Sequence, residues 1–218
     1  MKKTLLTIAL LSSFSTITLA NQAGNILIRG GATMVSPDSG KSSILLGGEP
    51  SGLELSVDNS TQLGLNFVYF FDSNWAIELL AATPFSHDIK LHTGDDTTLL
   101  ANTKQLPPTL SALYYFDTGS AFKPYIGAGI NYTIFFDNSF SSTYSDAGFS
   151  NLDLDNSFGY AVQVGADYEI NKNWSVNASA RYISISTDVS FAVGGDNIGS
   201  ASVDVNPMVY SVMLGYKF

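Results

Sequence analysis

Residues 157–170, SFGYAVQVGADYEI, alternate between apolar and small or polar side chains over their whole length. The even positions carry the apolar set: Phe158, Tyr160, Val162, Val164, Ala166, Tyr168 and Ile170. Successive side chains of a β-strand point to opposite faces, so a period of two predicts a strand with two chemically different faces. What such a chain can fold into depends on which solvent each face meets.

The same period recurs along the chain, and the connections between the periodic segments alternate in length. The predicted strands are 26–34, 62–71, 75–85, 106–116, 122–136, 157–170, 174–182 and 208–218. Short turns rich in Asp, Asn, Gly and Ser alternate with longer polar segments, which are predicted as loops at 36–61, 86–105, 137–156 and about 186–204. Short turns on one side and long loops on the other are typical of an up-and-down outer-membrane barrel, whose two termini lie on the periplasmic side.

Charged residues make up only 13% of the chain, against roughly 25% in a typical soluble domain. The apolar faces end in aromatic residues, such as Phe158 and Tyr168, which favour the boundary between membrane and water. Unpaired backbone amides are costly in hydrocarbon, so the strands must close on themselves. The sequence therefore predicts an all-β fold, an eight-stranded antiparallel transmembrane β-barrel. The apolar face of each strand, which is the even-numbered face in 157–170, is expected to meet lipid. The alternative is a soluble β-sandwich or lipocalin-like barrel that buries the apolar face.

Residues 1–20 differ from the rest: Lys2 and Lys3 precede an apolar run, and small polar residues lead to Ala20. This pattern predicts a secretory signal peptide, with the barrel formed by residues 21–218. An N-terminal anchor is the alternative, but the apolar run is shorter than the roughly 20 residues that span a bilayer. Removal of residues 1–20 leaves 8 basic and 19 acidic residues, a net charge of −11 instead of −9. That balance argues against nucleic acid as a partner, and the absence of Cys excludes disulfides.

The chain contains the stretches LPPTLSALYYF (106–116), FKPYIGAGINYTIFFDNSF (122–140), GYAVQVGADYEINKNW (159–174), DNSTQLGLNF (58–67) and ELLAATPF (78–85). Together these stretches resemble the OmpW family of bacterial outer-membrane proteins. The resemblance covers essentially the whole mature chain, and segments 36–57 and 137–155 depart most from the family pattern. It implies an eight-stranded barrel that passes small, mainly hydrophobic compounds across the outer membrane, and a close relative serves alkane uptake. It also implies a narrow lumen, apolar toward its extracellular half, with a lateral exit between strands.

The phase of the alternation assigns charged residues of both signs to the interior near the short turns. The predicted polar plug of the lumen consists of Arg29, Glu78, Lys123, Asp167 and Arg181, with Glu169 and Lys217 nearby. A barrel of eight strands has little room beyond its own side chains, and an unpaired charge there is expensive, so these charges should pair across strands. They either close the lumen as a structural plug or form a polar constriction that passes water or ions.

The same phase predicts an apolar lining near the long loops, formed by Leu113, Phe135 and Val209. Ile183 is a weaker candidate, because a bulge would turn it and Ile185 outward. Such a lining suits a pocket for an oily molecule. Pro84, Pro107 and Pro108 cannot donate ladder hydrogen bonds, so they are the candidate lateral opening between the third and fourth strands; the alternative is that they only end or bulge the pairing.

The predicted function is passage of small hydrophobic solutes, which enter between the long loops and leave sideways into the bilayer, above the plug. Expected partners are outer-membrane lipid, lipopolysaccharide, the solutes, and the barrel-assembly machinery through the strand that ends at Phe218; no cofactor is expected. One alternative is a structural or recognition barrel whose loops bind other surfaces. An enzyme or a metal site would have to use the two histidines, His87 and His92. Both are predicted to be solvated residues of a polar loop, so no catalytic, cofactor or metal site is assigned.

Overall fold

The computed structural model describes residues 21–38, 42–46, 49–94 and 96–218. The predicted signal peptide lies outside the described residues and stays a prediction. The strands are β1 (Ile26–Ser36), β2 (Ser42–Leu46), β3 (Glu49–Val57), β4 (Ser60–Phe70), β5 (Trp75–Ala82), β6 (Phe85–Thr93), β7 (Asp96–Leu106), β8 (Thr109–Tyr115), β9 (Phe122–Phe140), β10 (Phe149–Leu154), β11 (Ser157–Glu169), β12 (Trp174–Ile183), β13 (Ser186–Val193), β14 (Asp196–Asp204) and β15 (Met208–Lys217); one short helix, α1, spans Ser142–Asp146. Among the described residues, no helix is both long enough and apolar enough to cross a membrane.

Eight of these strands form a closed antiparallel barrel in the order β1, β4, β5, β8, β9, β11, β12 and β15, and β15 pairs with β1 to complete the ring. The predicted eight-stranded barrel is confirmed, and its strands begin and end within a few residues of the periodic segments. Closure gives every barrel strand two neighbours, which satisfies the backbone groups that hydrocarbon cannot solvate.

The apolar face of each barrel strand is the exposed one. On β11 the side chains of Phe158, Val164 and Tyr168 are 71%, 59% and 58% exposed, whereas Gln163 and Asp167 between them are buried. Phe158 and Tyr168 are ten residues apart, about 34 Å along a strand and about 25 Å along the membrane normal at a tilt of about 40°. That is the height of an outer-membrane apolar band flanked by aromatic girdles.

The short turns are stabilised by their own side chains. Asp72 Oδ1 accepts hydrogen bonds from the backbone N–H groups of Asn74 and Trp75, both at 2.7 Å. In the turn between β11 and β12, Asn171 Oδ1 accepts the equivalent hydrogen bonds from the backbone N–H groups of Asn173 and Trp174. The two backbone donors hold the pKa of Asp72 below its ordinary value. An Asp or Asn that bonds two residues ahead fixes a tight turn, so these sequences set the lower rim of the barrel.

The segments predicted as long polar loops are mostly strands, and this part of the prediction is wrong. Strands β2, β3, β6, β7, β10, β13 and β14, with the end of β9, pair into a second layer of sheet above the barrel, which we call the outer tier. β9 joins the two layers: residues 122–133 pair within the barrel, and residues 134–140 pair with β7. The interior therefore continues well beyond the height of the aromatic band.

Candidate functional site

The barrel interior near the short turns is filled by charged side chains that pair with one another. Glu78 Oε2 accepts a hydrogen bond from Arg29 Nη1 at 2.9 Å, and Glu78 Oε1 accepts one from Arg181 Nη2 at 2.5 Å. Asn66 and Gln163 donate to the same carboxylate, each at 2.9 Å. One buried carboxylate thus contacts two buried guanidinium groups and receives four hydrogen bonds.

Asp167 supplies the second carboxylate to Arg29. Its Oδ1 lies 3.0 Å from Arg29 Nε and its Oδ2 lies 2.5 Å from Arg29 Nη2, a bidentate pair. The hydroxyl of Tyr115 and the amide of Asn177 also donate to Asp167, at 3.0 Å each. We call Arg29, Glu78, Asp167 and Arg181, with these polar neighbours, the ionic cluster. Its four charges come from strands β1, β5, β11 and β12, so it links distant parts of the barrel wall.

Aromatic rings and a glycine give the ionic cluster its shape. The guanidinium carbon of Arg29 lies 5.4 Å from the ring centre of Tyr125, and Tyr125 packs against Tyr115. Gly165 leaves room for Tyr125 on the inner wall, because a Cβ at that position would lie 2.5 Å from the tyrosine ring. The cluster therefore sits between packed rings and charged partners, with no freedom for Arg29 to move aside as a single side chain.

Lys123, predicted as part of the plug, is buried on β9 opposite Asp167, its register partner on β11. Its Nζ is 3.6 Å from Asp117 Oδ1, in the turn that leads into β9. Lys123 is the second residue of that strand, so its long side chain reaches the turn. Lys217 and Glu169 form a second pair at this rim, at 2.7 Å. These two pairs lie at the lower end of the barrel, where Lys123 contacts Asp117 from the inward, buried position that was predicted for it.

Short hydroxyl and amide side chains occupy the next level above the ionic cluster. Thr33 and Ser211 are hydrogen-bonded at 3.0 Å. Asn131 donates to Thr109 at 3.0 Å and accepts from Thr133 at 2.7 Å. All five are buried. They separate the charges from the apolar groups above.

A packed apolar layer follows, which we call the cavity floor. Its members are Val35, Phe85, Ala161, Ile183, Ile185 and Val209, each at most 3% exposed. Val209, predicted as pocket lining, lies in this floor. Ile183 and Ile185 are also buried, and β12 pairs with β11 without a register shift as far as Ile183, so the alternative that a bulge turns them outward is wrong.

Above the floor the outer tier encloses an apolar cavity of about 280 Å³. Its wall comes from every outer strand from β3 onward and from the end of β9, and its aromatic side chains are Phe135, Phe140, Tyr144, Phe149 and Phe191. Aliphatic side chains, among them Leu91, Val189 and Val203, complete the wall. An engineered apolar cavity of about 150 Å³ holds benzene, so this one has room for a molecule of about two fused rings.

The polar groups in this wall are few, and two of them meet. His87 on β6 and Gln105 on β7 form what we call the polar corner, with Gln105 Nε2 2.9 Å from His87 Nε2. His87 Nδ1 lies 2.7 Å from the backbone oxygen of Asp58. Both side chains are only 2% exposed. His87 was predicted to be a solvated loop residue, and that prediction is wrong because β6 alternates and turns His87 inward. His92 on the same strand contacts Ser56 and Thr97.

The three prolines lie where the barrel and the outer tier meet. Pairing between β5 and β8 ends at Leu80 opposite Thr109, and pairing between β6 and β7 begins at Phe85 opposite Gln105. Pro84 lies on one side of this interval and Pro107 and Pro108 lie on the other. Each side of this interval is still hydrogen-bonded to its other neighbouring strand. Thr83 N–H donates to the backbone oxygen of Leu63 on β4, and Tyr132 N–H on β9 donates to the backbone oxygen of Pro108. We call this interval the seam; it lies beside Phe85 and Gln105, at the level of the cavity floor.

Of the three predicted lining residues, Phe135 alone borders the cavity. Leu113 is fully buried but packs near the short turns with Val68, Phe70 and Tyr115, so its predicted height is wrong. The inward phase holds, but β8 runs from the outer end to the turn at 117–121, and Leu113 is only four residues from that turn.

Most cavity residues come from segments predicted as loops, which is why sequence reasoning missed them. A signal was present in places: Val189, Phe191 and Val193 alternate with polar or small residues on β13, as His87, Ile89 and Leu91 do on β6. These runs are short and rich in Ser, Thr and Asp, so their period was weak against the composition of a loop.

Comparisons with known proteins agree on one family. The family model described as "OmpW family" matches residues 22–218. Outer membrane protein W of Vibrio cholerae is 42% identical over 222 residues, covering 100% of both chains, and that of Escherichia coli is 44% identical over 221 residues, covering 100% of this chain and 99% of the other. The crystal structure of the outer membrane protein OprG from Pseudomonas aeruginosa superposes with a TM-score of 0.85 at 43% identity, covering 91% of this chain and 98% of that one.

Proposed function

The chain belongs to the OmpW family of bacterial outer-membrane proteins, and we propose that it passes small hydrophobic solutes across the outer membrane through the cavity of its outer tier. It is an outer-membrane β-barrel in contact with bilayer lipid. The observation that carries the proposal is the apolar cavity of about 280 Å³ at the extracellular end of a barrel whose other end is filled with charge. In this proposal the protein has no catalytic role.

The cavity is suited to capture of an apolar molecule. Its wall is aliphatic and aromatic, and burial of apolar surface in it yields roughly 25 cal/mol for each Å² removed from water. Outer-membrane barrels place their long connections outside the cell. The cavity therefore lies where a solute would arrive, above the lipid-facing aromatic band.

Straight passage toward the periplasm is opposed by three layers: the cavity floor, the buried hydroxyl level and the ionic cluster. The members of the floor are almost completely buried, and Glu78 and Arg29 below them have no exposed surface. An apolar solute would have to displace paired charges, which costs far more than its own burial yields. The plug in this proposal is structural, and the alternative of a polar constriction for water or ions is less well supported by this packing.

The seam supports a lateral route. The interval between the two ladders lies beside the floor, and prolines cannot supply the N–H groups that would close it. A solute that leaves through it would enter the acyl chains of the outer leaflet without crossing the ionic cluster. We also propose contacts with lipopolysaccharide around the outer tier and recognition of the Phe218 strand by the barrel-assembly machinery.

A charge placed in the cavity wall tests the proposal. Val189→Asp introduces a carboxylate beside the ligand space, and Ser190→Asp places the same charge one residue later on the exposed face of β13. Uptake of a small radiolabelled hydrocarbon should fall about tenfold or more in cells with Val189→Asp, because a buried unpaired charge is strongly disfavoured next to an apolar ligand. It should stay unchanged with Ser190→Asp.

Heat-modifiable migration on gels confirms that each variant is assembled as a barrel in the outer membrane. Equal uptake by wild type, Val189→Asp and a strain without the protein would contradict transport. It would favour the alternative of a recognition barrel whose outer tier binds other surfaces.

A further inference from the structure

We propose that the polar corner makes the cavity selective for apolar molecules that carry one hydrogen-bond donor, such as an aryl or alkyl hydroxyl, over hydrocarbons of the same shape. The inference rests on the proposed function and specifies the solute class of the same cavity. The selectivity depends on the proton on His87, the orientation of the Gln105 amide, the unpaired state of its oxygen, and the pairing of the other polar groups in the wall.

The proton on His87 is fixed by a backbone carbonyl. Nδ1 lies 2.7 Å from the oxygen of Asp58, and a carbonyl oxygen only accepts hydrogen bonds, so Nδ1 is the protonated nitrogen. In the neutral ring Nε2 is then an acceptor. Burial lowers the pKa of His87 and favours that neutral ring.

His87 in turn fixes the amide of Gln105. The group that lies 2.9 Å from the acceptor Nε2 must be a donor, which is the NH₂ of Gln105. The amide oxygen consequently points away from the ring. A flip of the amide would bring two acceptors together, so the side chain cannot exchange its oxygen for its nitrogen while His87 is neutral.

The amide oxygen, Gln105 Oε1, is buried and has no hydrogen-bond partner within the described part of the chain. Gln105 itself is 2% exposed and lines the cavity. Four other buried atoms share this property, Asn66 Oδ1, Ser111 Oγ, Ser175 Oγ and Asn177 Oδ1, but they belong to barrel strands and do not line the cavity. Gln105 Oε1 is therefore an unpaired acceptor on a side chain that lines an apolar space.

The remaining polar side chains in the wall are already paired with protein groups. Thr103 donates to Asn138 at 2.6 Å, and Thr187 donates to the backbone oxygen of Asp155 at 2.7 Å. Tyr144 is hydrogen-bonded to Thr98 at 2.8 Å. The acceptor of Gln105 is consequently the group that a ligand donor would satisfy. A hydrocarbon leaves it unpaired, whereas a hydroxyl gains one net hydrogen bond, worth about a factor of five to ten in affinity.

Naphthalene and two of its derivatives test this selectivity, because two fused rings match the cavity volume and all three compounds fluoresce. Naphthalene has no polar group, 2-naphthol has one donor, and 2-methoxynaphthalene has an oxygen without a donor. Each is titrated at pH 7 into the full protein in lipid nanodiscs, with protein-free nanodiscs to correct for partition into lipid. Wild type should bind 2-naphthol at least fivefold more tightly than the other two.

The double variant His87→Leu/Gln105→Met removes both polar groups of the corner, so that the freed Nε2 of His87 cannot replace the lost amide. It should lose the preference for 2-naphthol over naphthalene and 2-methoxynaphthalene, whatever its affinity for naphthalene itself. Thr103→Val is the matched control, since it removes a wall hydroxyl that is already paired, and it should keep the preference.

The outcomes separate this inference from the proposed function. If wild type binds all three compounds equally, or if the double variant keeps the preference, the selectivity is refuted while the apolar site stands. If wild type binds none of them, both the site and its selectivity are refuted. The comparison of 2-naphthol with 2-methoxynaphthalene needs wild type alone, so it decides the matter even if the double variant fails to fold.

Discussion

The ionic cluster and the cavity of the outer tier are both enclosed by the same continuous sheet, yet they are held together in different ways. In the ionic cluster Glu78 receives four hydrogen bonds and Arg29 contacts two carboxylates. In the cavity the wall is apolar and one acceptor, Gln105 Oε1, is left without a partner among the described residues. The charges of the lower region are paired with one another, whereas the upper region has an apolar space and an unpaired acceptor for a further molecule.

This difference shows how one barrel can combine rigidity with binding. A solute could enter the ionic cluster only by breaking ion pairs, and these pairs link four strands of the wall. An apolar space above a packed floor can exchange ligands without disturbing those pairs.

Removal of the shared carboxylate should cause the largest loss. Glu78→Leu leaves Arg181 without its carboxylate and Arg29 with only Asp167, both in a buried setting. The free energy of unfolding should fall by about 3–5 kcal/mol, the usual effect of breaking a buried ion pair. Urea unfolding in lipid vesicles, followed by tryptophan fluorescence, measures it.

The control is an exposed pair. Lys104 and Asp137 lie 3.0 Å apart on the outer tier with both side chains largely solvated, so Asp137→Asn should cost at most about 1 kcal/mol. Similar losses for Glu78→Leu and Asp137→Asn would mean that the ionic cluster does not stabilise the barrel as its geometry indicates.

Two matched valines separate the packed floor from the open cavity. Val209→Ala removes methyl groups from the floor and should cost about 2 kcal/mol, since a new hole forms among fixed neighbours. Val203→Ala makes the same change in the cavity wall, where one side already faces space, and should cost about half as much. Urea unfolding of the two variants checks this order, and a reversed order would show that the cavity collapses in solution.

The seam gives a smaller, kinetic effect. Pro107→Ala/Pro108→Ala restores two N–H groups to the interval between Leu80–Thr109 and Phe85–Gln105, which should allow the ladders to join. Uptake of hydrocarbon should slow severalfold, while equilibrium binding in nanodiscs stays within about twofold. A fall in binding equal to the fall in uptake would place the effect of the prolines on the cavity rather than on exit.

The barrel could be predicted from the sequence because lipid leaves few choices. Eight amphipathic segments with short Asp and Asn turns permit one closed up-and-down order, and their phase places Arg29, Glu78, Asp167 and Arg181 inside. The pairing of Arg29 with Asp167 could not be read in detail, because these residues are 138 positions apart and depend on the three-dimensional register.

The outer tier was less predictable for a physical reason. Its strands face water on one side, so they contain many Ser, Thr, Asp and Asn residues, and β13 and β14 resemble a loop in composition. Leu113 shows a second limit: alternation gives the face of a residue but not its height in the barrel. His87 shows a third, since one histidine in a polar segment gives no sign that β6 will bury it against Gln105.

The smallest predicted effect concerns the protonation of His87, which lies on β6 in the outer tier, outside the membrane-spanning strands. Burial lowers the pKa of His87, while the backbone oxygen of Asp58 and the charges of Asp58 and Asp88 oppose that shift. Asp58 is engaged with Lys90 at 2.6 Å, which weakens its pull on the ring. We therefore expect His87 to titrate below the ordinary value of about 6.5. The NMR signal of its ring, followed in His92→Asn so that one histidine remains in the sequence, measures the midpoint.

The lowered pKa of His87 determines how the free energy of unfolding changes with pH. Above pH 6.5 His87 is neutral both folded and unfolded, so the neutral ring's contribution is fully present; as the pH falls below 6.5 the unfolded chain gains a proton first, and stability declines until the folded ring also titrates. The decline should disappear in His87→Phe, whereas in Asp137→Asn it should persist.

Protonation would also turn Nε2 into a donor, reverse the amide of Gln105 and present NH₂ to the cavity, so the preference for 2-naphthol should weaken over the same pH range. A ring midpoint at or above 6.5 would contradict this account, because it would mean that the carboxylates outweigh burial and that the polar corner is not as dry as the rest of the cavity.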